Sequence, residues 1–137
     1  MWILYALLSA VFAALVAIFG KMGLSVVDTT LATAIRSLVM AGFLVITALV
    51  LGKGTLLGTI TGKPLGFIVL SGVAGAISWL FYFVALKAGP VTGVAALDRL
   101  SVVFVLLFSV LFLAEKLTWK TGLGALLISL GAILMTI

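Results

Sequence analysis

Five stretches of apolar residues, each long enough to cross a bilayer as a helix, take up nearly the whole chain, and this pattern governs what the chain can become. They run from about Trp2 to Gly20, Thr30 to Leu51, Leu65 to Leu86, Val91 to Ala114, and from the polar turn at Glu115, Lys116 and Lys120 on to Ile137. Inside hydrocarbon no water is available to the backbone, so each stretch must pair its own N–H and C=O groups by forming a helix. Composition agrees: 66% of the 137 residues are hydrophobic and 8% charged, whereas a soluble domain carries about 25% charged residues. A water-facing surface cannot be built from that, and the short connections leave no room for a separate extramembrane domain. The expected fold is an all-α membrane protein, a five-transmembrane-helix bundle forming one module over residues 1–137. Its expected place is the cell (inner or plasma) membrane as a multi-pass protein, with the lipid bilayer as its first partner.

The same composition excludes several functions. Eight Lys and Arg against three acids give a formal charge of +5, but the basic residues are scattered singly at span ends and in short loops. Nucleic-acid binding needs them gathered on one exposed face, so no nucleic-acid partner is expected. The absence of Cys and His removes thiolate nucleophiles, imidazole bases and the usual zinc and haem ligands, so neither metal nor cofactor is expected. With one carboxylate deep in a span, no nucleophile and base pair can be assembled, and the chain is read as having no catalytic residues. The first stretch resembles a signal-peptide core in hydropathy, yet no Lys or Arg precedes it and four similar stretches follow, so it reads as a retained helix.

An odd number of spans places the two termini on opposite sides of the membrane. The N-terminal side carries Lys53, Lys63, Lys116 and Lys120, the other side carries Lys21 and Lys87, and Arg36 and Arg99 fall within spans. This bias favours the N-terminal side in the cytoplasm only weakly, which is compatible with insertion in both orientations. Trp2, Tyr5 and Trp119 also fall near the N-terminal side, where amphipathic rings anchor at headgroup level. Small residues form stripes suited to close helix approach: Ala6, Ala10, Ala13, Ala14 and Ala17 on the first stretch, and Ser71, Gly72, Gly75 and Ala76 on the third.

Counting residues from the span ends brings separated polar groups to one level. Arg36 lies six residues beyond Thr30 and Asp98 seven beyond Val91, which puts both about 9 to 11 Å below the same surface. Trp79 and Tyr82, counted back from Leu86, share that slab with Arg36, Asp98 and Arg99. A charge near the bilayer centre costs roughly 2.5 kcal/mol or more, so such groups face a bundle interior or a wet cavity and pair with each other. Arg36 with Asp98 is the expected pair. Three bland readings stand beside it: Arg36 snorkelling to the surface, the pair serving only to fix helix packing, and the aromatics being plain bulk. Asp98 and Arg99 are adjacent, about 100° apart on a helix, so one partner cannot satisfy both and a positive charge is left over that suits an anionic or zwitterionic ligand. Asp28, Glu115 and Lys116 read as solvated turn residues.

The segments KMG (Lys21–Gly23), LATAIRS (Leu31–Ser37), SWLFYFVALKAG (Ser78–Gly89), LDRLSVVFV (Leu97–Val105) and FLAEKLTWKTGLGALLISLGAIL (Phe112–Leu134) together resemble the drug/metabolite transporter superfamily. The likeness is to its single-repeat, five-helix EamA-type branch and covers nearly the whole chain. Where many relatives look to carry a basic residue and a Pro, this chain has Val84 and Ala96. The resemblance implies one EamA-type repeat that pairs with a second copy in antiparallel orientation, or with a related chain, to complete a cavity. It further implies a secondary transporter of small metabolites or drug-like molecules working by alternating access. On this reading Arg36, Asp98 and Arg99 polarise the cavity for the small-molecule substrate, and Trp79 and Tyr82 line it. The alternative class is a structural or lipid-handling, flippase-like subunit.

Overall fold

The computed structural model describes residues 1–137, the Leu57 side chain excepted. It is all-helical: α1 (Trp2–Gly23), α2 (Thr29–Val50), a 3-10 helix (Lys53–Thr59), α3 (Lys63–Ala88), α4 (Val91–Asp98), α5 (Ser101–Leu113) and α6 (Trp119–Leu134). Four continuous apolar stretches are long enough to cross a membrane, namely α1, α2, α3 and the α4–α5 run Val91–Leu113; α6 is a shorter apolar helix. Its 16 residues reach about 24 Å, somewhat less than a typical hydrocarbon core.

Local chemistry sets the ends. Asp28, expected as a solvated turn residue, is the N-cap of α2: its carboxylate accepts from the Thr30 and Leu31 amides at 2.9 and 3.0 Å and so satisfies two donors that a helix start leaves unpaired. Thr118 opens α6 through a reciprocal capping box with Thr121. Gly52, just past α2, has φ +67°, the left-handed conformation that only glycine adopts without penalty.

Three expectations need correction. The fourth stretch is not one helix over Val91–Ala114. It is two, with Arg99 (φ −68°, ψ −12°) and Leu100 (φ −62°, ψ −17°) between them. There the ladder changes from four-back to three-back bonding: Arg99 to Ala96, Leu100 to Leu97, Val102 to Arg99 and Val103 to Leu100, at 2.9 to 3.1 Å. Such tightening inside a helix is often found at a hinge or a strained sequence, and here it falls beside the adjacent charges Asp98 and Arg99. Second, the connection between the second and third stretches is not irregular throughout but holds a 3-10 helix over Lys53–Thr59. Third, α5 ends at Leu113 because Ala114 turns left-handed at φ 53°, and the Glu115 amide donates back to the Ser109 carbonyl at 3.2 Å.

An alanine in that conformation carries a Cβ penalty of about 1 kcal/mol that glycine avoids. Ala114→Gly is therefore expected to raise the unfolding free energy by about 0.5 to 1 kcal/mol, read as a higher denaturation midpoint in mixed micelles. A lowered midpoint would show that the left-handed turn does not persist in the membrane protein.

The chain divides into two compact units, Met1–Lys21 with Ala88–Ile137, and Met22–Lys87. In the first, every buried residue among those described is small: Ala17, Gly93, Ala96, Ser109, Ala125 and Ala132. Close backbone approach, rather than bulky side chains, packs helices in lipid, where burial of apolar surface gives no net drive. Gly93 on α4 is closely packed. A Cβ there would meet Pro90 Cγ at 3.3 Å, Thr136 Cγ2 at 3.6 Å and the Met135 carbonyl at 3.7 Å. At the end of α1, Lys21 Nζ donates to the Gly89 carbonyl at 2.8 Å.

The second unit buries bulkier residues, Leu24, Thr33, Phe83 and Leu86. Lys87, in the last turn of α3, donates to the Val27 carbonyl at 2.9 Å and so ties the connection ahead of α2. The small-residue stripes are largely unused inside the chain. Of the stripe on α1 only Ala17 is buried and Ala13 half-buried, and on α3 Ser71, Gly72 and Ala76 are exposed.

Candidate functional site

Three of the five expected site residues come together in the second unit. Trp79, Tyr82 and Phe83 stand three and four positions apart on α3, the spacing that stacks side chains along one helix face. Trp79 and Tyr82 meet edge to face, centroids 5.3 Å apart and planes at 76°, the arrangement favoured by the ring quadrupoles. Phe83 joins both, at 5.9 Å from Trp79 and 6.3 Å from Tyr82, and is itself buried.

Onto this cluster α2 delivers Arg36. Its guanidinium carbon lies 3.7 Å from the centroid of the Trp79 ring and 5.5 Å from that of Phe83. The first distance is that of stacked planes, so the cation sits on the electron-rich face of the indole. One turn before Arg36, Thr33 donates its hydroxyl proton to the Thr29 carbonyl at 2.7 Å, and Ser37 donates to the Thr33 carbonyl at 2.8 Å. Both neighbouring hydroxyls thus spend their protons on their own helix, a common arrangement for Ser and Thr in membrane helices.

Asp98 and Arg99 belong to the first unit, where α4 gives way to α5, and both are exposed. The Arg36–Asp98 pair would join residues of the two units and stays an expectation. Within the second unit the only acid is Asp28, and its carboxylate is taken up by the α2 N-terminus. Arg36 therefore has no carboxylate counter-ion in its own unit.

Sequence reasoning missed Phe83 as a member of the cluster. The signal was available, since Phe83 lies four residues beyond Trp79, but Phe81 and Phe83 look alike in composition and only the second turns toward Trp79; Phe81 is 72% exposed. It also missed the ladder Phe104, Phe108 and Phe112 on α5, with centroids 6.5 and 6.1 Å apart. These three rings are exposed and form an apolar outer stripe. A groove of about 400 Å³ at the start of α6, lined by Leu117, Thr118, Trp119, Gly122, Leu123 and Leu126, holds no charged side chain and is not a place where a polar solute is gripped. Among the described residues no cluster of acids suited to a metal ion is present.

The sequence is similar to that of a known protein. A protein of Sinorhizobium sp. described as an uncharacterized transporter in the cobO 3′ region is 43% identical over 136 residues, which are 99% of this chain and 96% of that protein. No solved structure matches the chain. The family model described as the EamA-like transporter family matches residues 1–137. Spanning the membrane several times and matched from end to end, the chain belongs to the EamA-like transporter family.

Proposed function

We propose that the protein carries small metabolites or drug-like molecules across the cell membrane by alternating access, as an antiparallel homodimer. The observation that carries this reading is the placement of polar groups inside apolar spans: Arg36 on its aromatic floor in α2 and α3, and exposed Asp98 and Arg99 where the α4–α5 run changes its hydrogen bonding. Ionisable groups at such positions mark solute and ion pathways, because hydrocarbon alone does not accommodate them. A discontinuous helix supplies backbone carbonyls as well, and transporters build sites from such breaks.

The second copy is supported by what the chain leaves uncovered. Asp98 and Arg99 on a span need water or protein against them, and among the described residues a Cβ at Gly72 or Gly75 on α3 would meet nothing within 4 Å. Among the described acids only Asp98 lies within a span, so in this scheme it takes any proton that is coupled to transport.

Uptake into proteoliposomes tests the reading. Wild type is expected to accumulate solute, and Arg36→Ala and Asp98→Asn to lose uptake at equal amounts of folded protein. Unfolding of both variants, with undiminished flux per folded molecule, would leave the charges a structural role only. Orientation is checked with Thr59→Cys, the chain having no native Cys. Impermeant maleimide is expected to label it from both faces of the membrane, and labelling from one face alone would rule out the antiparallel pair.

A further inference from the structure

We infer that Arg36, stacked on Trp79, is a receptor for a carboxylate, so that the transported molecules are small organic acids rather than amines or neutral solutes. The inference rests on the transporter reading only in calling the ligand a substrate; the site itself follows from the geometry of α2 and α3.

A guanidinium has two faces and three edges of N–H donors. At 3.7 Å above the indole, one face is covered by Trp79, and Phe83 lies 5.5 Å away. A guanidinium lying flat on a ring directs its N–H bonds parallel to that ring, away from the ring face. No carboxylate of the unit takes those donors: the single acid there, Asp28, is held by the Thr30 and Leu31 amides, at a point eight residues and so about 12 Å along α2. The Thr33 and Ser37 hydroxyls, the nearest polar groups on the helix, donate to backbone carbonyls.

A cation seated on aromatic faces, with no carboxylate counter-ion in its unit, is complementary to a planar anion that accepts two parallel hydrogen bonds. Carboxylate has that shape and charge. Protonated amines are repelled, and an amide offers a single weaker acceptor. A phosphate accepts the same two parallel hydrogen bonds from a guanidinium, so inorganic phosphate is the competitor that the titration has to separate from carboxylate.

Trp79 reports on its own site. In a Trp2→Phe/Trp119→Phe background, both rings being exposed and remote in sequence from the cluster, Trp79 is the only indole. Its emission is followed in neutral detergent at constant ionic strength while butyrate, butyramide, butylammonium or inorganic phosphate is added. Butyrate is expected to give a saturable change. Arg36→Met is expected to abolish it, and Arg36→Lys, which keeps the charge but loses the planar fork, to weaken it at least about tenfold. Butyramide and butylammonium are expected to give no saturable change. An equal response to butylammonium, an equal response to phosphate, or a butyrate response that persists in Arg36→Met would each overturn the carboxylate assignment. Butyrate binding without any flux in proteoliposomes would remove the transport reading and leave the site. Flux of a cationic solute with no butyrate response would do the reverse.

Discussion

Trp79→Ala is expected to lower uptake per folded protein roughly tenfold, although in the proposed scheme it is Arg36 that binds the solute. The argument runs through the guanidinium. A cation over an indole face gains about 0.5 to 2 kcal/mol, and within its own unit Arg36 lies against the Trp79 and Phe83 rings. Without the indole, the side chain regains its rotamers and extends along its aliphatic stem toward the membrane surface, where hydration compensates for the lost contact. The charge survives but is no longer held at a fixed depth and plane, and 1.4 kcal/mol of lost positioning is a factor of ten.

The same substitution also removes the edge-to-face contact with Tyr82 and the packing on buried Phe83, so an unfolding free energy lower by about 2 to 3 kcal/mol is expected alongside. A double-mutant cycle separates the two effects. Arg36→Met and Trp79→Ala, alone and together, are expected to show a coupling of about 1 to 2 kcal/mol in stability, with Trp79→Phe keeping part of it because a smaller ring still offers a face. Strict additivity would mean that the ring does not hold the guanidinium and that the flux loss has another origin.

How much of this could be read beforehand depends on which coordinate is asked for. Depth along a span follows from residue counting, since the rise per residue of a helix is fixed. That is why Arg36, Trp79 and Tyr82 were expected at one level and are found together. Azimuth does not follow from counting. Whether Arg36 meets a ring face or a carboxylate depends on how α2 and α3 are rotated, and that is set by packing around Thr33, Phe83 and Leu86. The break at Arg99 and Leu100 was hidden for a different reason. Neither Pro nor Gly stands there, and hydropathy runs unbroken from Val91 to Leu113, so nothing in local propensity separates α4 from α5. The end of α5 was concealed in the same way, because an alanine in left-handed conformation looks in sequence like any helical alanine. Small residues were legible as candidates for helix contacts, yet composition could not say which of them would be used. Gly93 is packed within the chain, whereas Gly72 and Gly75 are open.

That last contrast yields the second large effect, for Gly72→Leu. A Cβ built on Gly72 meets nothing within 4 Å in the chain, and exchanging an interior glycine for leucine favours the helix itself by up to about 1 kcal/mol. The single chain is thus expected to fold at least as well as wild type. If α3 is the face on which a second copy sits, the added side chain holds the two backbones apart at the point where Ser71, Gly72, Gly75 and Ala76 would let them approach. Assembly and monomer stability then move in opposite directions: the unfolding midpoint is kept or raised, the oligomer falls to monomer by light scattering in detergent, and uptake drops to background. Gly93→Leu is the internal comparison. There the new atoms strike Pro90, Thr136 and the Met135 carbonyl of the same chain, and overpacking of this kind costs about 1 to 3 kcal/mol whether or not a partner is present. A Gly72→Leu protein that remains oligomeric and active would place the second copy on another face. The exposed charges at the α4–α5 junction, which also lack a cover in the single chain, are then the surface to which the same test passes.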